Sequence, residues 1–390
     1  MKLAKIVSRR LNRIPQPTNI YHPHQPEGLG LTLIRLEPTQ NWNYTTHSDA
    51  VALGLGGAGN DLLTHVMELG LQGLRCIAVD TDQYALQIAK AHSKLLIQSA
   101  VDTGTRGNAG VGRELGLQVR AELQSLVGPS DIVFILAGMG GGTGGGTAPI
   151  IAETARRNGA LVIGLITKPF HFERGRFHSA VESVRQMMTV CDTVILIDNY
   201  TIDQSSMTLP FEMSLDQAGE TCCSIIHSLT HTFTESTLCN AKLGELRTML
   251  RRGGLAGASV GHSHSQLGAE EATLKVLRTT ALHGHLAKAN GVFVNITGGE
   301  HVQRRHVESA MDLVSNSIDP TAQLLYGHRV DAAMRGVTSV TLLATGLSFP
   351  ASWVAYRRLP LQLYDLEAES GEEQDLSLEL GLHQLESYAA

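Results

Sequence analysis

Two glycine-rich segments carry the clearest chemistry in this sequence. The first, Gly54-Leu55-Gly56-Gly57-Ala58-Gly59, fits GxGxxG between an apolar run and a helical pattern. Asp80 closes the next apolar run, 21 residues after Gly59. That is the dinucleotide-binding spacing, in which glycines let a phosphate approach the backbone and an acid meets ribose hydroxyls. The second segment reads Gly138-Met139-Gly140-Gly141-Gly142-Thr143-Gly144-Gly145-Gly146-Thr147, with seven glycines in ten residues. So bare a backbone can turn several N–H groups toward one concave site, and the helix that follows adds its positive end. Ordering so much glycine is entropically costly, which argues for a function beyond turning the chain. No GxxxxGK[ST] occurs. Phosphate charge must then be met by backbone, helix dipoles and a cation instead of a P-loop lysine.

Other chemistry is poorly supported. The 17 histidines include His262 and His264, and His283 and His285, but no HExxH or cysteine partner accompanies them. They read as solvated or interface residues. No GxSxG elbow is present to expose a serine nucleophile. The five cysteines form no CxxC, which fits a reducing cytoplasm, and the Cys222-Cys223 pair reads as packing.

Residues 138–149 resemble the signature loop of the tubulin/FtsZ family. The resemblance runs from about residue 50 to 347 and is closer to FtsZ than to tubulin. Asn60 follows the first glycine loop as in that family, and Ala78-Val79-Asp80-Thr81-Asp82 resembles its second loop. Lys168-Pro169-Phe170-His171-Phe172-Glu173 is similar to its KPFxFE segment, and Gly291-Val292-Phe293-Val294-Asn295-Ile296-Thr297-Gly298-Gly299 to a second-domain strand. The resemblance implies a GTP-binding domain, a long central helix and a second domain, with subunits stacking head to tail. It implies GTP or GDP, with Mg²⁺ held mainly through phosphates and waters. Gly56, Gly57, Ala58, Gly59 and Asn60 would line the phosphates, with Gly140, Gly141, Gly142, Thr143 and Gly144 from the signature loop. Glu173 would hold ribose hydroxyls, helped by Arg176 at an offset one residue short of the usual arginine. Asn199 stands where a base-proximal asparagine is common.

The sequence departs from the family where hydrolysis is expected. The loop after the central helix usually reads NxDFADV and polarises water on the next subunit's nucleotide. Here it reads Asn240-Ala241-Lys242-Leu243-Gly244-Glu245-Leu246, with Lys242 in the place of the first catalytic aspartate and Glu245 in that of the second. A charged lysine is no base; it attracts the γ-phosphate as a point charge. The loop at residues 105–112 is also about four residues shorter than usual. Gly219 occupies the position of the guanine-reading aspartate, flanked by Asp216 and Glu220, four residues apart and so on one helix face. Either carboxylate could meet the guanine donors.

These segments need a scaffold, and the patterning supplies one. Apolar runs at 51–54, 74–79, 132–137, 161–166 and 193–197 alternate with helical patterns at 61–69, 84–91, 113–126 and 149–158. Such alternation predicts an α/β fold, a parallel sheet wrapped on both faces. Residues 211–236 read as one long helix, then strands at 291–296 and 338–344 flank a helix at 306–315 as a smaller α/β domain with its own core. The expected divisions are 1–48 (basic helix and linker), 49–210 (GTP-binding domain), 211–239 (central helix), 240–350 (C-terminal α/β domain) and 351–390 (acidic tail). Lys2, Lys5, Arg9, Arg10 and Arg13 with Leu3, Val7, Leu11 and Ile14 make residues 1–14 a basic amphipathic helix, a candidate membrane-surface anchor.

The 390 residues are 43% apolar and 17% charged, which excludes a mostly disordered chain. A net charge of −6 gives no support for nucleic-acid binding, and no run of 18 apolar residues suggests a membrane span. The expected protein is a cytoplasmic, FtsZ-like GTP-binding polymer-former in cell division or shape control, with weak or partner-dependent hydrolysis. Its expected partners are copies of itself and an ordinary FtsZ. The rivals are a non-hydrolysing structural paralogue that braces or caps filaments, and an oxidoreductase resting on the first glycine loop alone.

Overall fold

The computed structural model describes residues 34–36 and 50–349, apart from residues 69, 72, 98–103, 171–172, 198–210, 235–242, 266–267, 280–281, 283–284 and 333. The expectations for residues 1–14, Asn199, Asn240, Lys242 and the acidic tail lie outside these residues.

The strands are β1 (Ile34–Leu36), β2 (Ala50–Leu55), β3 (Leu74–Asp80), β4 (Ser93–Leu96), β5 (Ile132–Gly138), β6 (Leu161–Thr167) and β7 (Thr193–Ile197). They continue as β8 (Gly254–Ser263), β9 (Gly291–Gly298), β10 (Gln323–Val330) and β11 (Thr338–Thr345). All belong to one sheet, in the order β1-β4-β3-β2-β5-β6-β7-β8-β11-β9-β10. From β4 to β8 every pairing is parallel; β1 joins β4, and β11 joins β8 and β9, antiparallel. The central strands β2, β5 and β6 are apolar runs buried along their length, as a parallel sheet covered on both faces requires.

Helices α1 (Gly56–Glu68), α2 (Gln83–Ile88), α3 (Ala109–Gln118), α4 (Arg120–Val127), α5 (Gly142–Arg157) and α6 (Arg174–Val190) follow the strands of the first half. Then come α7 (Phe211–Thr234), α8 (Leu243–Arg251), α9 (Gly268–Leu277) and α10 (Arg304–Ser315). One core joins β2, β3, β5 and β6 to α7 through residues such as Phe134, Cys222, Ile226 and Leu229. A second, lined by Val276, Val294, Val314 and Leu342, lies under α9 and α10. The second block therefore has a core of its own while its strands extend the first sheet, because β8 pairs with β7 from Thr193↔Gly254 onward.

Strands β4 and β10 and helices α6, α8 and α9 add to the elements expected from sequence, and three further differences have a packing reason. The pattern at 113–126 is two helices parted at Val119, and the first begins earlier, at Ala109, with the Asn108 side chain accepting from Gly110 and Val111 N–H. Its glycines look unhelical, yet a Cβ on Gly112 would lie 2.1 Å from the Gly142 carbonyl. They let α3 press on α5. The second glycine segment is likewise only half loop, since α5 starts at Gly142. Strand β8 has no β-branched run to announce it, being rich in Gly, Ala and Ser. A Cβ on Gly261 would lie 2.4 Å from the Ala272 carbonyl of α9, so no side chain fits at that position.

Candidate functional site

The chain leaves neighbouring strands β2 and β5 at the point where the sheet order reverses. In open α/β sheets, ligands bind in the crevice beyond the strand carboxyl ends at such a point. A cavity of about 460 Å³ lies there, touching Leu55 at the end of β2, Gly138 at the end of β5 and Thr167 at the end of β6. Each glycine segment begins at one of those strand ends.

Helix α1 walls the cavity with Gly57, Ala58, Asp61, Leu62 and His65, a single face at helical spacing. The start of α5 contributes Gly141, Gly142, Thr143 and Gly144. Neither helix has an acidic residue in its first turn, and no side chain caps α5 at Gly141. The first N–H groups of a helix have no intrahelical acceptor, and its dipole places partial positive charge there. Two such ends on one cavity make an anion site. A Cβ on Gly57 would meet nothing within 4 Å, and one on Gly141 only the Gly138 carbonyl at 3.9 Å. These two glycines leave open the space a phosphate needs.

Three threonine hydroxyls sit beside that cradle. Thr143 Oγ1 is 2.9 Å from Thr81 Oγ1 and 3.4 Å from Thr105 Oγ1. Across the cavity, Arg176 donates to Glu173 Oε1 at 2.6 Å, and the Phe170 N–H donates to Oε2 at 3.0 Å. The two residues matched to ribose binding are thus paired with each other at the start of α6, and both line the cavity.

Other matched residues stand behind the lining and shape it. A Cβ on Gly59 would lie 2.3 Å from the Leu136 carbonyl, and one on Gly140 2.7 Å from the Arg176 carbonyl. Both are close-approach positions. Asn60 is 2% exposed and donates to Asp80 Oδ2 at 3.1 Å and to the Val79 carbonyl at 3.4 Å. The other oxygen of Asp80 accepts from the N–H groups of Thr81 and Asp82. Burial raises the Asp80 carboxyl above its ordinary range, and the two backbone N–H groups and Asn60 pull it back. Asn60 and Asp80 thereby brace the two loops instead of facing the cavity.

Glu220 is exposed, with Cys223 and His262 as electrostatic neighbours, and is not in the lining. Glu245 is exposed in the first turn of α8. Asp216 lies on α7, and its side chain is outside the described residues. Sequence reading missed Asp61, Leu62, His65, Thr105, Lys168 and Ala218, all in the lining. The first three repeat at helical spacing after Ala58, a signal that was available. Cys76, Cys191, Cys222 and Cys223 are free and buried, and burial pushes the Cys76 and Cys223 thiols up to about 12, which leaves them unreactive.

Residues 49–206 match the family described as Tubulin/FtsZ family, GTPase domain, and residues 254–348 the FtsZ family, C-terminal domain. Cell division protein FtsZ 2 of Methanocaldococcus jannaschii is 33% identical over 305 residues, which cover 77% of this chain and 80% of that protein. Cell division protein FtsZ 1 of Thermococcus kodakarensis is 31% identical over 77% of this chain and 81% of its own length. Among solved structures, an empty FtsZ dimer from M. jannaschii superposes with a TM-score of 0.70 at 28% identity, covering 77% of this chain and 89% of that one. CetZ2 from Haloferax volcanii, in a GTPγS-bound protofilament, shares the fold with a TM-score of 0.65 at 21% identity, covering 79% and 96%.

Proposed function

Because this chain belongs to the tubulin/FtsZ family, and so to its guanine-nucleotide-binding cytoskeletal proteins, we propose that it binds GTP in the cavity between α1 and α5 and polymerises head to tail. We infer further that it hydrolyses GTP weakly or only beside a partner, in division or shape control. The observation that carries the nucleotide site is the convergence of two acid-free helix starts on one cavity of about 460 Å³.

In this reading the N–H groups of α5 and the Gly57 backbone hold phosphate oxygens. Thr143 and Thr105 offer hydroxyls to the same oxygens, and Glu173, held by Arg176, presents its carboxylate to the ribose. Mg²⁺ neutralises phosphate charge when bound. Mg²⁺ keeps several waters and binds mainly through substrate phosphates, so the cation would arrive on the nucleotide.

Weak hydrolysis follows from Lys242, which brings a cation to the place of a carboxylate. In a mixed filament an ordinary FtsZ would complete this chain's site, while Lys242 would keep the partner's GTP intact. Phosphate release and pelleting with GTP, alone and with an ordinary FtsZ, test the reading. Lys242→Asp is expected to raise phosphate release at least ~10-fold at concentrations that assemble. No gain across that range would sink the catalytic part. Nucleotide retained through purification without phosphate release in either setting would favour the non-hydrolysing paralogue that braces or caps filaments. Flotation with vesicles, with and without residues 1–20, tests attachment through the basic helix; equal flotation would end that idea.

A further inference from the structure

We propose that the Asp61 carboxylate, on the second turn of α1, reads the N1–H and N2 amine of a guanine base bound in the cavity. This assignment rests on the guanine-nucleotide reading above and names the group that makes it selective.

Guanine presents two adjacent donors on one edge, and a carboxylate is the side chain that accepts from both. Among the described residues, the cavity lining holds two carboxylates, Asp61 and Glu173. Glu173 accepts from Arg176 at Oε1 and from the Phe170 N–H at Oε2, and its remaining acceptor capacity goes to the ribose in the reading above. No hydrogen bond among the described residues reaches the Asp61 carboxylate; the His65 ring contacts the Asp61 backbone carbonyl instead, at 2.9 Å.

Position agrees with that role. Ala58, Asp61, Leu62 and His65 share the cavity face of α1. At a rise of about 1.5 Å per residue, Asp61 lies roughly 5 Å along the helix axis from the glycine loop. Beyond it the wall is apolar, with Leu62 from α1 and Ala218 from α7, suited to the faces of a flat base. Helix α7 offers nothing from its next residue: Gly219 has no side chain, and a Cβ there would lie 2.7 Å from the His65 ring. The imidazole fills the space such a side chain would use. Asp61 is exposed on the cavity side of α1, and the protein around it raises its carboxyl, with the nearby imidazole opposing.

The test is competition binding on the full chain with GTP, XTP, ITP and tripolyphosphate. ITP lacks the N2 amine, and the wild-type chain is expected to bind it about 10-fold or more weaker than GTP. Xanthine carries a C2 carbonyl in place of the amine, so an amide at residue 61 matches it. Asp61→Asn is expected to lose roughly 10–100-fold in GTP affinity, to prefer XTP over GTP, and to keep its tripolyphosphate affinity. A variant that ranks GTP above XTP as the wild type does overturns the proposal. So does Asp216→Asn producing the switch instead, or equal wild-type affinity for GTP and ITP, which needs no variant to fold. A wild-type chain that binds no guanine nucleotide defeats the underlying nucleotide reading. One that binds GTP while Asp61→Asn leaves base preference unchanged defeats this assignment alone.

Discussion

A β-carbon placed on Gly57, which lines the cavity, would meet no atom within 4 Å, whereas one on Gly146 would lie 2.2 Å from the Ala109 carbonyl. The first glycine keeps space for a ligand and the second lets two helices touch. Gly57→Val is therefore expected to weaken GTP binding about 100-fold while the thermal midpoint of the unliganded chain stays nearly unchanged; nucleotide titration beside thermal melting reads both. Gly146→Ala should do the reverse, costing about 3 kcal/mol of stability through overpacking, measured as a shift in the denaturation midpoint. The sequence displays which residues lack side chains, so both loops were legible. What stands opposite each glycine is a tertiary fact. Gly59, Asn60 and Gly140 match the family pattern yet stand behind the cavity wall for that reason. Asp61 and His65 repeat at helical spacing after Ala58, and the fold adds that this is the face α1 turns to the cavity.

At the scale of elements, legibility follows burial. Strands β2, β3, β5, β6 and β7 lie in the middle of the sheet and are mostly apolar, so the runs are visible in sequence. Strand β8 is buried over most of its length but is rich in Gly, Ala and Ser, with no room for a side chain at Gly261 under α9, so no long apolar run appears. The junction of β6, β7 and β8 is held by a buried carboxylate. Asp192 accepts from the Val162 N–H at 2.9 Å, and Arg156 and Arg251 approach its other oxygen at 3.8 and 4.0 Å. Arg156 belongs to α5 and Arg251 to α8, so one side chain gathers two helices and the sheet. Asp192→Ala strands that buried N–H and removes the carboxylate that Arg156 and Arg251 approach, leaving them their bonds to the Thr189 and Gly159 carbonyls. The expected loss is about 3 kcal/mol in chemical denaturation, and a loss under 1 kcal/mol would show the clamp to be incidental.

For the whole molecule, the single sheet ties two cores together, and α7 joins them from one side. His227 on α7 accepts from Arg329 of β10, with His231 edge-on at 4.5 Å and Asp331 bound to the same arginine at 3.3 Å. Burial, then His231 and Arg329, lower the His227 imidazole to about 4, with Asp331 opposing. An imidazole that stays neutral in the folded chain but takes a proton at about 6.5 when unfolded favours the unfolded state as acidity rises. Stability should be full above about pH 6.5 and fall by up to roughly 3 kcal/mol by pH 4. His227→Gln should flatten that limb, and an unaltered slope in urea melts across this window would refute the assignment. This link between halves was not legible, because histidines 102 residues from their arginine announce nothing in sequence. The halves themselves were, since each has its own apolar run pattern. One further consequence attends the two helices that start at the cavity. Their like-signed ends oppose each other until something negative separates them, so the bare protein is the electrostatically crowded form. Sulfate or phosphate from a buffer would relieve that crowding as well as a nucleotide's tail does, and a melting curve taken in such a buffer would understate how much the true ligand steadies the fold.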